Sequence, residues 1–282
     1  MSGVWRDRRA RVGAALLAVV IATAVAAPLV TAGDTSVPRD IVASRFLGPL
    51  SYDVSGAFHL LGTDRIGRDV WTRLVYGGRI SLAVGFLSVI LSVIVGMLVG
   101  GLAGWWRGWP ALALTALTDF ALALPRVVVL LLLAALWKPS TALVILFLGM
   151  TGWMPIARLV QGEVRTLSAN SFVEGATASG ARSLWVLWRH VFPNTLTPVF
   201  VVAALGVGNA ILAEAGLSFF GLGVQSPTPS WGNMIASGRD TLVNAPWVAA
   251  APGVVLAVVV VGCTLLGDGL RSAIGRRQSV VG

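Results

Sequence analysis

Charge is scarce in this sequence. Of 282 residues only 12% are Asp, Glu, Lys or Arg, against about 25% in an ordinary soluble domain. Hydrophobic residues make up 56%, and the mean hydropathy is +0.83. A water-solvated globule is excluded, and the chain reads as a membrane protein. Cysteine is nearly missing too: Cys263 is the only one and lies within the last apolar run. That excludes an internal disulfide and says nothing of redox compartment; a lone buried Cys acts as a small hydrophobe. His59 and His190 stand apart without metal-ligand spacing, so neither is read as a ligand. A nucleophile paired with a base is also lacking, which leaves a membrane enzyme without support. No internal repeat is visible, so a proton-driven secondary transporter built on inverted repeats gains none either.

The net charge is +9 and the sequence pI about 11.4. Nucleic acid is not the implied partner, because the arginines are scattered over loops with no soluble domain to hold a basic face. The simpler reading of the charge is the positive-inside bias, which keeps arginine in cytoplasmic loops.

What is present is length of apolar run. Crossing ~30 Å of hydrocarbon at ~1.5 Å per residue takes about 20 residues. Runs 12–33, 80–106, 139–157, 195–213 and 241–267 qualify without a charge, and 109–137 qualifies if Asp119 and Arg126 are tolerated. The expectation is an all-α membrane protein with six transmembrane helices. The N-terminal segment has a basic start like a signal peptide, but its apolar run exceeds the 7–15 residues of an h-region. It is read as an uncleaved first span.

Arg6, Arg8, Arg9 and Arg11 precede that span and place the N-terminus in the cytoplasm. Alternation then puts 34–79 outside, 104–110 inside, 137–140 outside, 158–194 inside, 217–245 outside and 268–282 inside, with both termini cytoplasmic. The inside segments hold Arg107, Arg158, Arg165, Arg182, Arg189, Arg271, Arg276 and Arg277. The first outside loop carries Arg39, Arg45, Arg65, Arg68, Arg73 and Arg79 against this rule, beside Asp34, Asp40, Asp53, Asp64 and Asp69. Three parts are expected: an N-terminal span with external segment (1–60), a core of five spans (61–275) with a cytoplasmic loop at 165–194, and a tail (276–282).

That loop contains "SFVEGATASGARSLWVLWRHVFPN" (171–194). Ser171 followed by Glu174 has the form of a capping box. Gly180 suits a helix end that needs a left-handed residue. Ser183 can cap a second short helix through about Val191, and Pro193 and Pro198 fit the entry to span five. Alternatively, Val173, Ala176, Gly180, Leu184, Leu187 and Val191 share one face at helical spacing and would suit a single helix lying on the membrane surface. Local chemistry does not separate an interface helix from a docking element with a small-residue face.

Glu174-Gly175-Ala176, then Gly180, His190 and Pro193-Asn194 resemble the "EAA" loop of bacterial ABC importer permeases. "LGTDRIGRDVWTRLVYGGRISL" (61–82), "AEAGLSFFGLGVQSPTPSWGNMI" (213–235) and "LLGDGLR" (265–271) are similar to three further stretches of the dipeptide and oligopeptide permeases, C-type subunit. The likeness covers nearly all the chain from 61 onward. Gly175 departs from the motif's first Ala. Ser272 stands where Asp is common, and the usual Asp-Pro-Arg ending is absent.

The resemblance implies a type I ABC importer permease fold in the bacterial cytoplasmic membrane. It implies a heterodimer with a homologous B-type subunit, two cytoplasmic ATPase subunits, and an external substrate-binding protein that delivers peptides. Related permeases carry nickel, glutathione or haem. Ser171, Glu174, Gly175, Ala176, Gly180, Arg182 and Pro193 are the implied ATPase-coupling residues. ATP with Mg²⁺ would be bound by the partners, since this chain has no Gly-x4-Gly-Lys-Ser/Thr loop to cradle a triphosphate. No cofactor of its own is expected.

Asp119, Arg126 and Glu214 are the candidates for the translocation path or its gate. Ionisable residues within spans usually face a bundle interior or water; for Asp119 a structural bond to a neighbouring helix is the competing reading. Arg126 and Glu214 fall about 17 and 18 residues along spans three and five, at similar depth if both spans are straight. They could pair in one transport state, or each could reach interfacial water separately. Pro125 and Pro155 permit kinks in spans three and four.

Overall fold

The computed structural model describes residues 7–31 and 41–281, with side chains up to Ala273. Arg6, Asp34, Arg39 and Asp40, and the side chains of Arg276 and Arg277, lie outside the described residues. The helices are α1 (Arg8–Val25), α2 (Ala27–Val30), α3 (Ile41–Ser44), α4 (Val70–Trp105), α5 (Trp109–Ala123), α6 (Arg126–Leu136), α7 (Thr141–Met150), α8 (Trp153–Ser168), α9 (Ser171–Ala178), α10 (Ser183–Val186), α11 (Phe192–Phe219), α12 (Trp231–Arg239) and α13 (Trp247–Val281). One small antiparallel hairpin, β1 (Ser51–Tyr52) with β2 (Phe58–His59), interrupts the all-α expectation inside a segment read as loop. At its tip the Ser55 hydroxyl donates to Asp53 at 2.6 Å and holds that carboxyl below its ordinary value.

Among the described residues four helices are long and apolar enough to cross a membrane: α4, α7 continued by α8, α10 continued into α11, and α13. A fifth is the pair α5 and α6 if taken as one span, although the two are bent by 85°. The six-span expectation rests for its sixth member on α1, an 18-residue helix whose first four residues include three arginines.

Span three is therefore broken rather than merely kinked. Pro125 lies between α5 and α6 and is the N-cap of α6, and proline disfavours helical geometry in the residue before it. Span four breaks at Thr151–Gly152. Thr151 is four residues before Pro155, the position whose carbonyl a proline ring crowds. The helix then continues to Ser168, so Arg158 and Arg165 belong to it rather than to a loop.

Glycine lets the helices approach closely. On α4, Gly96, Gly100 and Gly104 recur every fourth residue and face α8. A Cβ on Gly96 would stand 2.7 Å from the Ile156 side chain, one on Gly104 would stand 2.8 Å from the Gln161 carbonyl, and one on Gly100 would fall onto the Ala157 backbone. Such small-residue ladders allow backbone-to-backbone packing where no hydrophobic effect operates. On α1, a Cβ on Gly13 would stand 2.6 Å from the Gly262 carbonyl of α13.

These contacts sort the molecule into two ends. At one, Arg79 of α4 donates to the carbonyls of Ala24 and Val25 at the end of α1 (both 2.7 Å), and the Trp247 indole at the start of α13 donates to Thr63 (3.3 Å). The hairpin, the turn before α4, and α12 gather there. That turn is tied by Asp64, which accepts from the backbone of Ile66 and Arg68 (both 3.0 Å) and from the Arg68 guanidinium (2.7 Å). At the other end, Ala10 of α1 meets Gly269 of α13, and Trp105 at the close of α4 donates to Ser183 at 2.8 Å. The arginine-rich start of α1 and the 171–194 segment thus share an end.

Candidate functional site

The 171–194 segment is built on an apolar cluster. Val173 of α9 is buried with Ile156, Val160 and Val164 of α8 and with Val186, Leu187, Val191 and Phe192. Burying one such valine contributes about 2 kcal/mol. Ala176 packs against the same cluster. The opposite side of α9 is exposed: Ser171, Phe172, Glu174 and Gly175, followed by Gly180, Arg182, Leu184, Trp185 and Trp188. α9 is thus fixed by one edge and presents the other.

Its ends only partly match expectation. The Ser171–Glu174 capping box is not formed. The N-cap is Asn170, one residue earlier, whose carbonyl accepts from Val173 and Glu174, with no side-chain cap. Gly180 ends the helix as expected, with φ +82°. Its N–H donates to Thr177 (3.0 Å), and that of Ala181 donates to Ala176 (3.2 Å). This is the two-bond closure that needs a left-handed residue. A Cβ on Gly175 meets nothing within 4 Å, so the alanine of the family pattern would fit there with no rearrangement.

The second short helix does not stop at Val191. After α10 the chain makes one π turn, Leu187–Val191, and enters α11. The Phe192 N–H returns to the Leu187 carbonyl, five residues back. Pro193, which has no N–H, sits in the first turn of α11; the wider turn absorbs it where a straight ladder would break. Ser183 is not a cap, since Arg182 holds that position without a side-chain bond. Pro198 lies inside α11 rather than in its entry turn.

The three membrane acids and bases are held separately. Asp119 of α5 pairs with Arg158 of α8 at 2.6 Å, both about half exposed. Glu214 of α11 is fully buried; its carboxyl accepts from Ser218 (2.7 Å), Ser230 (2.9 Å) and Ser81 (3.3 Å). Arg126 makes two long bonds, Nε to Thr151 Oγ1 (3.4 Å) and an Nη to the Leu148 carbonyl (3.5 Å). Among the described residues no ion pair joins Arg126 to Glu214, and none of the groups could hold a metal ion.

Several partners were not read from the sequence: Arg158 for Asp119, Asn170 as the cap, and the serines around Glu214. One signal was available. Ser81, Ser88 and Ser92 are spaced seven and four apart on α4 and are all buried, a polar stripe on one face of an otherwise apolar helix.

Comparison with known proteins narrows the reading. The family "Binding-protein-dependent transport system inner membrane component" matches residues 80–280. The dipeptide transport system permease protein DppC of Alkalihalophilus pseudofirmus is 35% identical over 269 residues, covering 95% of this chain and 86% of that one. DppC of Escherichia coli K12 is 39% identical over 270 residues, covering 95% and 89%. A probable peptide ABC transporter permease of Sinorhizobium fredii, y4tQ, is 43% identical over 217 residues, covering 77% and 74%. Among solved structures, a chain of the MetNI methionine ABC transporter in an inward-facing conformation superposes with a TM-score of 0.58 at 20% identity, covering 71% of this chain and 96% of that one. This likeness shows the fold, the type I importer permease architecture expected above. With one family matched across most of its length and relatives aligned nearly end to end, the chain belongs to the inner membrane components of binding-protein-dependent transport systems.

Proposed function

We propose that the chain is the C-type permease subunit of an ATP-driven importer of dipeptides and oligopeptides. It spans the bacterial cytoplasmic membrane with both termini in the cytoplasm. Its partners are a homologous B-type permease, two ATPase subunits that hold ATP and Mg²⁺, and an external binding protein. The observation that carries the reading is the 171–182 surface. A short helix, fastened to the spans through Val173 and Ala176, exposes Glu174 and Gly175 at the end of the molecule where Arg8, Arg9 and Arg11 lie. The names of the relatives supply the cargo class.

The mechanism is mechanical. Closure of the ATPase pair pushes on the exposed face of α9. Because Val173 sits in one cluster with α8, α10 and the first turn of α11, these elements move together as a packed unit. Packed interfaces convert a small shift at one site into a rigid-body change of the spans. ATP binding thereby biases an equilibrium between inward- and outward-open states.

The test is uptake by the full complex reconstituted in liposomes. Glu174→Trp adds bulk on an exposed position, so the chain still inserts and folds. The expected result is loss of at least nine-tenths of ATP-driven peptide uptake, since docked surfaces reject added volume at a cost of about 1–3 kcal/mol. Uptake and ATPase assembly equal to wild type would remove the coupling assignment.

A further inference from the structure

Residues of α4, α6, α7, α8 and α11 line a cavity of about 240 Å³. Its volume is that of about eight liquid waters, room for the end of a small peptide. Most of the wall is apolar, including Val89, Leu148, Ile156 and Val202. The polar lining is Ser88, Ser92, Asn209 and Arg126, of which only Arg126 is charged.

Three observations point to an anion site. Arg126 has only neutral acceptors, and both bonds are long. A guanidinium at membrane depth is costly unless it meets water or a counter-charge. Ser88 is 1% exposed, lines the same cavity, and its hydroxyl has no hydrogen-bond partner; such a group asks for a ligand. Arg126 is also the first residue of the 11-residue α6, whose earliest return bond runs from Val129 to Pro125. The preceding N–H groups of that turn have no helical carbonyl, and broken membrane helices place such ends at anionic substrate groups. The two acids considered with Arg126 are engaged elsewhere, Asp119 with Arg158 and Glu214 with three serines.

We propose that this cavity receives the free carboxylate of the transported peptide, with Arg126 as its ion-pair partner and Ser88 as a hydrogen-bond donor. The inference rests on the peptide-permease reading above and adds which end of the cargo this subunit holds. An ammonium end is disfavoured, because no lining residue is acidic.

The experiment uses the whole complex in liposomes with radiolabelled dialanine, read out as uptake and as ATPase stimulation by the binding protein. Arg126→Gln should lower uptake at least about tenfold while ATPase stimulation stays within about twofold, and Arg126→Lys should restore part of the loss. A second variant keeps the arginine. Ser88→Asp sets a resident carboxylate in the cavity and should also block uptake, by occupying the cargo's place. Wild-type uptake by Arg126→Gln overturns the inference. So does loss of the assembled complex in Arg126→Gln, which would assign the counter-charge of this guanidinium to the partner permease. If the wild-type complex takes up neither dialanine nor a longer alanine peptide, the peptide reading falls and this inference with it.

Discussion

Glu214→Ala leaves the chain inserted but lowers its stability by about 4 kcal/mol and abolishes uptake. The carboxyl of Glu214 gathers hydroxyls from three elements: Ser81 of α4, Ser218 of α11 itself, and Ser230, the N-cap of α12. Each of these serines also accepts a backbone N–H, from Trp231 (3.1 Å), Val224 (3.2 Å) and Asn233 (3.2 Å) respectively. The bonds therefore all run one way, from the 224–233 backbone through the serines to one carboxyl. Removing that acceptor orphans three buried hydroxyl donors, at about 1–3 kcal/mol each before relaxation. Glu214→Gln keeps one carbonyl oxygen and should cost about 1 kcal/mol. Thermal denaturation of the purified complex ranks the two. Equal melting of the Ala and Gln variants would show that the carboxyl does not organise this end.

Gly100→Val should be as damaging, for a steric reason. The Cβ would overlap the Ala157 backbone, with Gly96 and Gly104 holding the same α4–α8 contact on either side. Backbone cannot turn aside as a side chain can, so the helices must separate. The cost is about 3 kcal/mol. The consequence reaches the end that carries α9, because α8 supplies Val160 and Val164 to the cluster that seats it. The variant should lose bound ATPase along with stability, checked by co-purification. Gly162→Ala on α8 is the control. Its Cβ meets nothing within 4 Å, and it should raise stability by about 0.5–1 kcal/mol through helix propensity.

Local chemistry was readable where it decides structure locally. Gly180 ends α9 because only a left-handed residue closes that turn, and a glycine announces this. The Ser171–Glu174 pattern misled by one residue, because the position of Val173 in the cluster, a tertiary matter, sets where α9 begins. Pro193 was read at the entry to span five and does sit in the first turn of α11; the π turn that joins α11 to α10 without a gap was not foreseen. Matching Arg126 to Glu214 by depth assumed straight spans. The 85° bend at Pro125 removes that assumption, and rise per residue gives no information on which way a side chain faces. Asp119–Arg158 and the Glu214 serines join residues from 4 to 133 positions apart; their types were visible but their meeting was not.

The most direct measurement is cross-linking in the intact transporter, with Cys263→Ser to remove the buried native thiol. Single cysteines replace Gly175 on the exposed face of α9 and Ser55 at the hairpin tip, and carry a short photoreactive maleimide. Gly175→Cys is expected to capture an ATPase subunit, while Ser55→Cys captures the external binding protein. Capture of an ATPase from Ser55→Cys, or of the binding protein from Gly175→Cys, would contradict both the coupling surface and the orientation of the chain.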